Sequence, residues 1–335
     1  MSLPTFLSPE DSSLWHAACG LRRQYWGSMV FLRGIVEFSN HCRQNCLYCG
    51  LRRDNNALSR YRMSADAVHS AACGVKRLGF GTVVLQSGED PGYSAQEIAL
   101  MVGRIKQELG LAVTLSLGEW DRECYGLWRE AGADRYLLKL ETADEILYAH
   151  LRPGKKLSQR FACLDTLSKL GYETGSGLIT GLPGSSEDKV LHGLETLAER
   201  KPDMMSLGPF IPHPETPLGH ETAGGISENL RCMAHARIRI PEAHIPVTSA
   251  LGLYGDDVRL AALEVGNVLM PSLTPETYRE SYAIYPGKNR QSLSPEERAA
   301  QFGPMLQAGG FTLPAGPGGA WRLRHPVNDT TGAKP

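Results

Sequence analysis

Short apolar runs alternate with longer amphipathic stretches along most of the chain. The short runs are rich in β-branched and aliphatic residues, and the longer stretches repeat apolar residues at helical spacing between Gly, Pro, Ser or Asp. The pattern predicts strands over Gly34–Phe38, Thr82–Gln86, Ala112–Leu117, Tyr136–Leu140, Glu173–Ile179, Met204–Leu207, His244–Leu251 and Asn267–Met270. It predicts helices over Ser64–Leu78, Ser94–Leu109, Glu119–Ala131, Gln159–Leu170, Ser186–Glu199 and Ser227–Arg239.

Strands that alternate with helices form parallel units whose crossovers are right-handed. Eight strands in this order favour an α/β fold, a closed (β/α)8 barrel of the TIM type, with its chemistry on the loops that follow the strands. An open, doubly wound sheet is the competing architecture. We expect a helical extension over residues 1–33, the barrel over residues 34–310 and a polar tail over residues 311–335.

Charge and composition narrow the range of partners. Lys and Arg total 35 against 36 Asp and Glu, so no overall field would attract nucleic acid or an anionic membrane. The first twenty residues do not have the charged start and apolar run of a secretory signal. No stretch reaches the ~18 apolar residues of a membrane span. We expect a cytoplasmic protein that acts on a small molecule, in a compartment where clustered cysteines more often bind metal than form disulfides.

Three cysteines lie on the loop after the first predicted strand. Cys42, Cys46 and Cys49 have the spacing C-x3-C-x2-C, and three thiolates can hold three irons of a cubane cluster while the fourth iron stays open. S-adenosylmethionine (SAM) can fill that position, and a reduced cluster can then cleave it to methionine and a 5′-deoxyadenosyl radical. Zinc would need a fourth ligand at short spacing, and His41 is poorly placed to supply it.

Residues near this loop offer contacts for such a ligand, and each also has an ordinary structural explanation. Tyr48 would pack beside the cluster and over adenine, or would only plug the loop. The turn Gln86-Ser87-Gly88-Glu89 lets backbone approach a ligand closely. Glu141 could bind ribose hydroxyls, or could be an acid at a helix N-terminus. Arg160 could bind a carboxylate in bidentate fashion, or could be a solvated helix arginine.

Longer stretches carry a resemblance to a known family. Residues 37–63, which contain the cysteine motif and Leu51-Arg52-Arg53-Asp54-Asn55, resemble the HydE family of [FeFe]-hydrogenase maturases, in the radical SAM superfamily. Further similar stretches are residues 85–90, 114–120, 131–138, 170–175, 208–214 and 285–288. A weaker resemblance is to 3-methylornithine synthase of pyrrolysine biosynthesis.

The resemblance implies a (β/α)8 barrel with one [4Fe–4S] cluster and SAM. The implied substrate is an iron–cysteine synthon, an Fe(CO)2(CN)–cysteine complex used in maturation of the hydrogenase active site. The implied cluster ligands are Cys42, Cys46 and Cys49. The implied SAM contacts are Gln86, Lys139, Glu141 and Arg160, and the implied substrate contacts are Met204, Thr248, Ser249 and Tyr285. Arg135 could bind an anionic group of the substrate at the bottom of the cavity, or could be a barrel arginine paired with a carboxylate. Implied partners are an electron donor such as ferredoxin or flavodoxin, and other hydrogenase maturases.

Two departures from the family's pattern bear on the substrate and the cofactors. Lys139-Leu140 stands where the family usually has Arg-His, which removes a forked donor and a titratable imidazole from the edge of the pocket. No cysteine follows Cys232, whereas some family members carry a further cysteine triplet, so we do not expect a second cluster.

Other functions remain open at this stage. A mutase like 3-methylornithine synthase would act on lysine, and its cavity would have to pair an ammonium and a carboxylate. A non-catalytic iron–sulfur carrier or scaffold would need an exposed, transferable cluster. Sulfur insertion of the biotin-synthase type would need cysteines inside the barrel to hold the sulfur source, and the predicted strands contain none.

Overall fold

The strands of the molecule form one parallel sheet. The computed structural model describes residues 3–288 and 294–325. Its strands are β1 (Phe31–Leu32), β2 (Gly34–Ser39), β3 (Thr82–Ser87), β4 (Ala112–Ser116), β5 (Arg135–Leu137), β6 (Glu173–Thr180), β7 (Met204–Pro209), β8 (Pro246–Val247) and β9 (Val268–Leu269). They pair in the order β1-β9-β8-β7-β6-β5-β4-β3-β2.

The sheet closes because β1 and β2 are two parts of one strand, interrupted at Arg33. Arg33 N donates to the carbonyl of Leu269 in β9 at 2.9 Å. Ile35 N then donates to Pro271 O at 2.8 Å and Ile35 O accepts from Leu273 N at 2.7 Å, so the chain after β9 continues along β2. The predicted barrel is therefore confirmed. The hydrophobic pattern missed β1 because two residues are too few to show a period.

Helices cover the outside of the barrel. They are α1 (Ser12–Trp26), α2 (Ala65–Arg77), α3 (Ala95–Leu109), α4 (Arg122–Glu130), α5 (Glu145–Leu151), α6 (Leu157–Lys169), α7 (Glu187–Ala198), α8 (Ile226–Arg239), α9 (Asp256–Leu263), α10 (Glu276–Arg279), α11 (Pro295–Ala308) and α12 (Trp321–Arg324), with 3-10 turns at Pro9–Asp11 and Leu251–Tyr254. The predicted helices all form, whereas shorter ones such as α5 and α9 were not predicted. Among the described helices, none has the length and apolarity needed to cross a bilayer.

Several helices begin at a side chain that accepts a backbone N–H three residues later, which satisfies a donor that the helix leaves unpaired. These N-cap residues are Ser64, Ser94, Asp121, Asp144 and Ser186. Each of these polar N-caps fixes the residue at which its helix begins. It thereby also fixes the end of the preceding loop, which lies on the catalytic side of a barrel.

Side chains along β5 show which residues face the barrel interior. Tyr136 packs outward, with its ring centroid 5.1 Å from Tyr125 and 6.3 Å from Trp128 of α4. Because successive strand residues face opposite sides of a sheet, Arg135 and Leu137 point inward. The main apolar core therefore lies between sheet and helices, and the barrel interior remains available for polar groups.

Residues 316–320 close the end of the barrel where the strands begin, and we call this segment the floor. Arg33 donates to one floor carbonyl at 3.1 Å, Arg135 donates to two at 3.2 and 3.4 Å, and Thr82 donates to one at 2.9 Å. Glu173 accepts the last floor N–H at 2.8 Å and lies 2.9 Å from Arg135 Nε. Part of the expected polar tail thus seals the barrel, while residues 326–335 lie outside the described residues.

Glu173→Gln tests the floor. Glu173 is the carboxylate that pairs with Arg135, whose side chain is 4% exposed, and a buried cation that loses its partner costs about 3–5 kcal/mol. We expect the free energy of unfolding in urea to fall by that amount. Glu195→Gln is the matched control, because Glu195 pairs with Arg239 at the surface and should cost less than about 1 kcal/mol. Equal effects of the two substitutions would contradict the role of the floor pair.

Candidate active site

The ends of the strands opposite the floor surround a cavity of about 310 Å³, which we call the main cavity. Its lining comes from the loops after β2, β3, β5 and β8 and from the segment that ends at Lys288. Predicted site residues that line it are Cys42, Cys46, Cys49, Tyr48, Gln86, Ser87, Lys139, Glu141, Arg160, Thr248, Ser249 and Tyr285. Residues far apart in the chain therefore meet in one chamber of the size that small-molecule ligands occupy.

Arg135 and Met204, which were expected to contact the substrate, do not line the main cavity. Each is the first residue of its strand, and the residue two positions later lines the cavity instead. Two strand residues span ~7 Å, so both side chains lie one layer deeper. Arg135 is paired with Glu173, and Met204 Sδ lies 3.5 Å from Arg33 Nη1.

Glu89 holds the cysteine loop from the loop that follows β3. Its carboxylate accepts from Gln44 Nε2 at 2.5 Å and lies 3.4 Å from nitrogens of both Arg43 and Arg152. Its backbone N–H points at Cys42 Sγ at 3.4 Å, and its carbonyl accepts from Arg43 N at 2.9 Å. A carboxylate that is 4% exposed and shared by three side chains fixes the loop.

Gly88 lets these two loops touch. A Cβ atom at this position would lie 2.2 Å from the carbonyl oxygen of His41 and 2.7 Å from the Cβ atom of Cys42, distances that only backbone movement could relieve. Glycine is therefore needed at Gly88 for close approach. Gly88, which the sequence indicated as part of a turn, therefore also allows the loop after β3 to pack against Cys42.

The three thiols lie in a low-dielectric environment. Burial raises the pKa of Cys42 to about 11 and raises the pKa values of Cys46 and Cys49. Against this, backbone N–H groups lower the pKa of Cys42, and the Arg152 guanidinium lowers the pKa of Cys46. Iron binds the thiolate forms, so binding must release protons from these thiols.

The spread of the cysteines bears on the type of metal. Among residues 3–288 and 294–325, no three His, Cys, Asp or Glu side chains converge on a point where a single ion could sit. The three thiols nevertheless line the same cavity. The three ligands of a cubane bind different iron atoms, and three cysteines on one cavity are a donor set that fits such a cluster with one iron left open.

Glu141 has a strained backbone at the cavity wall. Its φ is 71°, a left-handed conformation that is uncommon for a residue other than glycine. The strain is tolerated because its N–H donates to Gly177 O at 3.1 Å and its carbonyl accepts from Ile179 N at 2.9 Å. Its buried Oε2 lies 3.2 Å from Lys139 Nζ at an angle that gives an ion pair but no hydrogen bond. Such strain is typical of functional sites, and this oxygen can accept from a ligand.

Arg160 is a buried residue of the cavity wall, unlike a solvated helix arginine. Its side chain is 4% exposed, and its Nε lies 3.0 Å from Glu119 Oε1 and 3.2 Å from Tyr148 Oη. Lys155 Nζ lies 2.9 Å from the other oxygen of Glu119. The Nε contacts orient the guanidinium at the cavity, where its Nη groups can meet a carboxylate.

Comparison with known proteins identifies the family. Residues 36–197 match the model of the Radical SAM superfamily. The chain is 49% identical to the [FeFe] hydrogenase maturase subunit HydE of Thermotoga maritima over 279 aligned residues, which are 83% of this chain and 80% of the relative. The chain belongs to the HydE family of radical SAM proteins. This confirms the resemblance found in the sequence, and membership of the superfamily implies a [4Fe–4S] cluster and SAM.

Other relatives of this HydE-family chain show how far the likeness extends. 3-Methylornithine synthase of Methanosarcina barkeri is 32% identical over 291 residues, 84% of this chain and 82% of the relative. The crystal structure of methylornithine synthase (PylB) has a TM-score of 0.82 and 28% identity, covering 92% of this chain and 90% of that chain. A crystal structure of HydG, a maturase of the [FeFe]-hydrogenase, has a TM-score of 0.77 over 91% of this chain and 70% of that one. Its identity is 16%, so it supports the fold alone.

Sequence reasoning missed a buried ion pair in the wall of this HydE-family barrel. Glu37 is fully buried, and one of its oxygens contacts Lys288 Nζ. Its other oxygen accepts from Ser272 Oγ at 2.6 Å and from the hydroxyl of Thr274. Burial alone would raise the pKa of Glu37, but the Lys288 ammonium and these hydrogen bonds outweigh burial and lower it. The sequence feature that could have indicated this pair is Glu37 itself, an acidic residue inside the apolar strand Gly34–Ser39.

Glu89→Gln tests whether this carboxylate organises the cysteine loop. The substitution leaves Arg152 buried without its charge partner, so we expect a loss of about 1–3 kcal/mol in unfolding free energy and a clearly lower iron content after anaerobic reconstitution. Iron per chain and the cluster's visible absorption are the measurements. Glu123→Gln, at an exposed position of α4, is the control and should leave both unchanged. Full iron content in Glu89→Gln would refute the assignment.

Proposed function

We propose that this protein cleaves SAM at a [4Fe–4S] cluster held by Cys42, Cys46 and Cys49. We further propose that it acts on an iron–cysteine synthon in maturation of the [FeFe]-hydrogenase active site. The observation that carries the proposal is that all three cysteines face one cavity with the proposed SAM contacts, in a chain 49% identical to a HydE. When bound and reduced, the cluster supplies the electron that converts SAM to methionine and a 5′-deoxyadenosyl radical.

The proposed SAM contacts approach the main cavity from different elements. Gln86 and Ser87 end β3, while Lys139 and Glu141 follow β5. Oε2 of Glu141, which forms an ion pair with Lys139 but accepts no hydrogen bond from the described residues, suits a ribose hydroxyl or the SAM ammonium, and Arg160 suits the methionyl carboxylate. These residues would hold SAM against the side of the barrel formed by β3 to β5.

Tyr48 is proposed to pack beside both the cluster and adenine. It contacts Cys46, and burial raises its pKa far above the usual value, so it is a neutral phenol. A neutral, partly buried ring shields the cysteine loop from water without adding charge. Apolar neighbours such as Leu138 and Phe210 extend this lining, which protects a radical from solvent.

The proposed substrate contacts Thr248, Ser249 and Tyr285 form a group of hydroxyls. Ser249 Oγ and Tyr285 Oη lie 2.5 Å apart, and either can be the donor. Ser249 follows β8, which lies across the closed barrel from β3 and β4 given the strand order. The substrate would therefore sit between these hydroxyls and SAM.

Two other functions are distinguishable by experiment. A mutase acting on lysine is the second candidate, because 3-methylornithine synthases match in sequence and PylB matches in fold, and because Lys139 replaces the arginine usual in HydE. A non-catalytic iron–sulfur carrier is disfavoured by the enclosed set of ligand-binding side chains. Absence of 5′-deoxyadenosine from a reduced, reconstituted sample would favour the carrier.

We propose ferredoxin or flavodoxin as the electron donor, and other hydrogenase maturases as partners. We place the protein in the cytoplasm, where these proteins and reduced thiols occur together. The support is membership of the HydE family.

Cys46→Ala tests the cluster assignment. Two remaining thiolates hold a cubane poorly, so we expect loss of the cubane signal in Mössbauer spectra and no 5′-deoxyadenosine above background under anaerobic reduction with dithionite. Cys73→Ala, which removes a partly buried thiol of α2 outside the cavity, should keep both within about twofold of wild type. Normal SAM cleavage by Cys46→Ala would overturn the assignment.

Substrate identity is tested by offering both candidates to the reconstituted enzyme with SAM and dithionite. We expect turnover above the substrate-free rate with the iron–cysteine synthon and none with L-lysine. Mass spectrometry of the products and the yield of 5′-deoxyadenosine are the measurements. Formation of 3-methylornithine from lysine would replace the first candidate by the second.

A further inference from the structure

A second cavity of about 190 Å³ adjoins the main one. Residues that line both cavities are Ile35, Thr248, Ser249, Met270 and Lys288. Lys288 is the charged residue of this shared wall, and its side chain is 4% exposed. The proposed SAM and substrate contacts leave this buried ammonium without a role.

The Lys288 ammonium is held in a fixed position. Its Nζ contacts one oxygen of Glu37 and lies 4.4 Å from the centre of the Tyr282 ring, within the range of a cation–π contact. Glu37 is itself held by Ser272 and Thr274. Because the side chain is ordered in advance, a ligand that binds it pays little additional entropy.

The pair offers a ligand mainly donors. Three of the roughly four acceptor sites of the Glu37 carboxylate are taken, one by Lys288 and two by hydroxyls, and Glu37 is fully buried, so little of this carboxylate is left for an incoming ammonium. An ammonium has three N–H donors, and Glu37 takes one of them among the described residues. Of the Ser249 and Tyr285 hydroxyls, which also line the main cavity, one donates to the other, and the hydroxyl that accepts can donate its own hydrogen to a ligand.

The other cations that line the main cavity are also paired with carboxylates, but they lie on the side of the proposed cluster and SAM contacts. They are Arg152 with Glu89, Arg160 with Glu119, and Lys139 with Glu141. On the β8 side, Lys288 and the two hydroxyls form a separate group of donors. An anionic oxygen group is the chemistry that such a group recognises.

We propose that Lys288, oriented by Glu37, binds the carboxylate of an amino-acid moiety of the substrate, with the hydrogen-bonded Ser249–Tyr285 pair supplying a further hydroxyl donor. The inference rests on the proposed function and deepens it. An α-carboxylate belongs to both candidate substrates, the iron–cysteine synthon and lysine, so the assignment does not depend on which of them is correct. Binding the carboxylate on the β8 side directs the rest of the substrate across the barrel towards SAM.

The test compares amino acids with their decarboxylated analogues. The reconstituted full chain with SAM is titrated calorimetrically with L-cysteine and cysteamine, and with L-lysine and cadaverine. We expect wild type to bind at least one of the two acids ten or more times tighter than its analogue, and Lys288→Met to lose that preference. Lys288→Arg should retain part of it, since the charge remains.

A second variant separates binding from folding. Lys288→Met alone leaves Glu37 as a buried, unpaired charge that can prevent folding. The double variant Glu37→Gln/Lys288→Met removes both charges and keeps the hydrogen-bonding shape of residue 37. If Lys288 were only structural, this variant would regain the preference for the acids. We expect instead that the double variant folds and does not bind the acids more tightly than their analogues.

The outcomes are distinct. Equal affinities for acid and analogue in wild type, no binding of either acid, or a wild-type preference in the double variant would each overturn the role of Lys288. Formation of 5′-deoxyadenosine by reduced wild type is measured in parallel. Its absence would count against the proposed function, while the calorimetric comparison would still decide the role of Lys288.

Discussion

Burying charge inside a barrel is costly unless each charge finds a partner, and the architecture of the site follows from this constraint. Around the main cavity, four carboxylates each face a cation: Glu37 with Lys288, Glu89 with Arg152, Glu119 with Arg160, and Glu141 with Lys139. Three of these pairs join segments that are distant in the chain, so neutralising the charge also fixes the loops, whereas Glu141 and Lys139 lie on one loop after β5. The cysteine loop is positioned in this way through Glu89, and burial raises the pKa values of its three thiols, which favours their neutral form.

The strands divide the barrel interior into layers with different tasks. Arg33 and Arg135 lie in the deepest layer and bind the floor. Ile35 and Leu137, two residues further along, line the main cavity. Glu37 follows one step higher, where it orients Lys288. Because inward-facing side chains recur every two residues along a strand, the position of a residue in the strand sets how deep in the barrel its side chain lies. Successive inward positions of one strand therefore bind the floor, line the cavity and orient a ligand-binding residue.

Much of the fold and of the site could be predicted from sequence, because both rest on local patterns. Alternating apolar runs located the barrel strands, and the cysteine spacing located the motif on the loop after the first of them. Arg135 and Met204 lie deeper than the lining of the main cavity, which the sequence could not show because periodicity gives the face of a strand but not the depth of a residue. The pairing of Glu37 with Lys288 joins residues 251 positions apart, and neither residue carries a local signal for the other. The floor was missed for the same reason, since a Gly- and Pro-rich segment has the composition of a loose tail.

The position of the floor in the chain constrains biosynthesis. Residues 316–320 follow every strand in sequence, so a growing polypeptide can assemble all the strands and still have one end of its interior open to water. Folding during translation cannot finish until this late segment has left the ribosome. Until then, water can reach the paired arginine and glutamate side chains at that end.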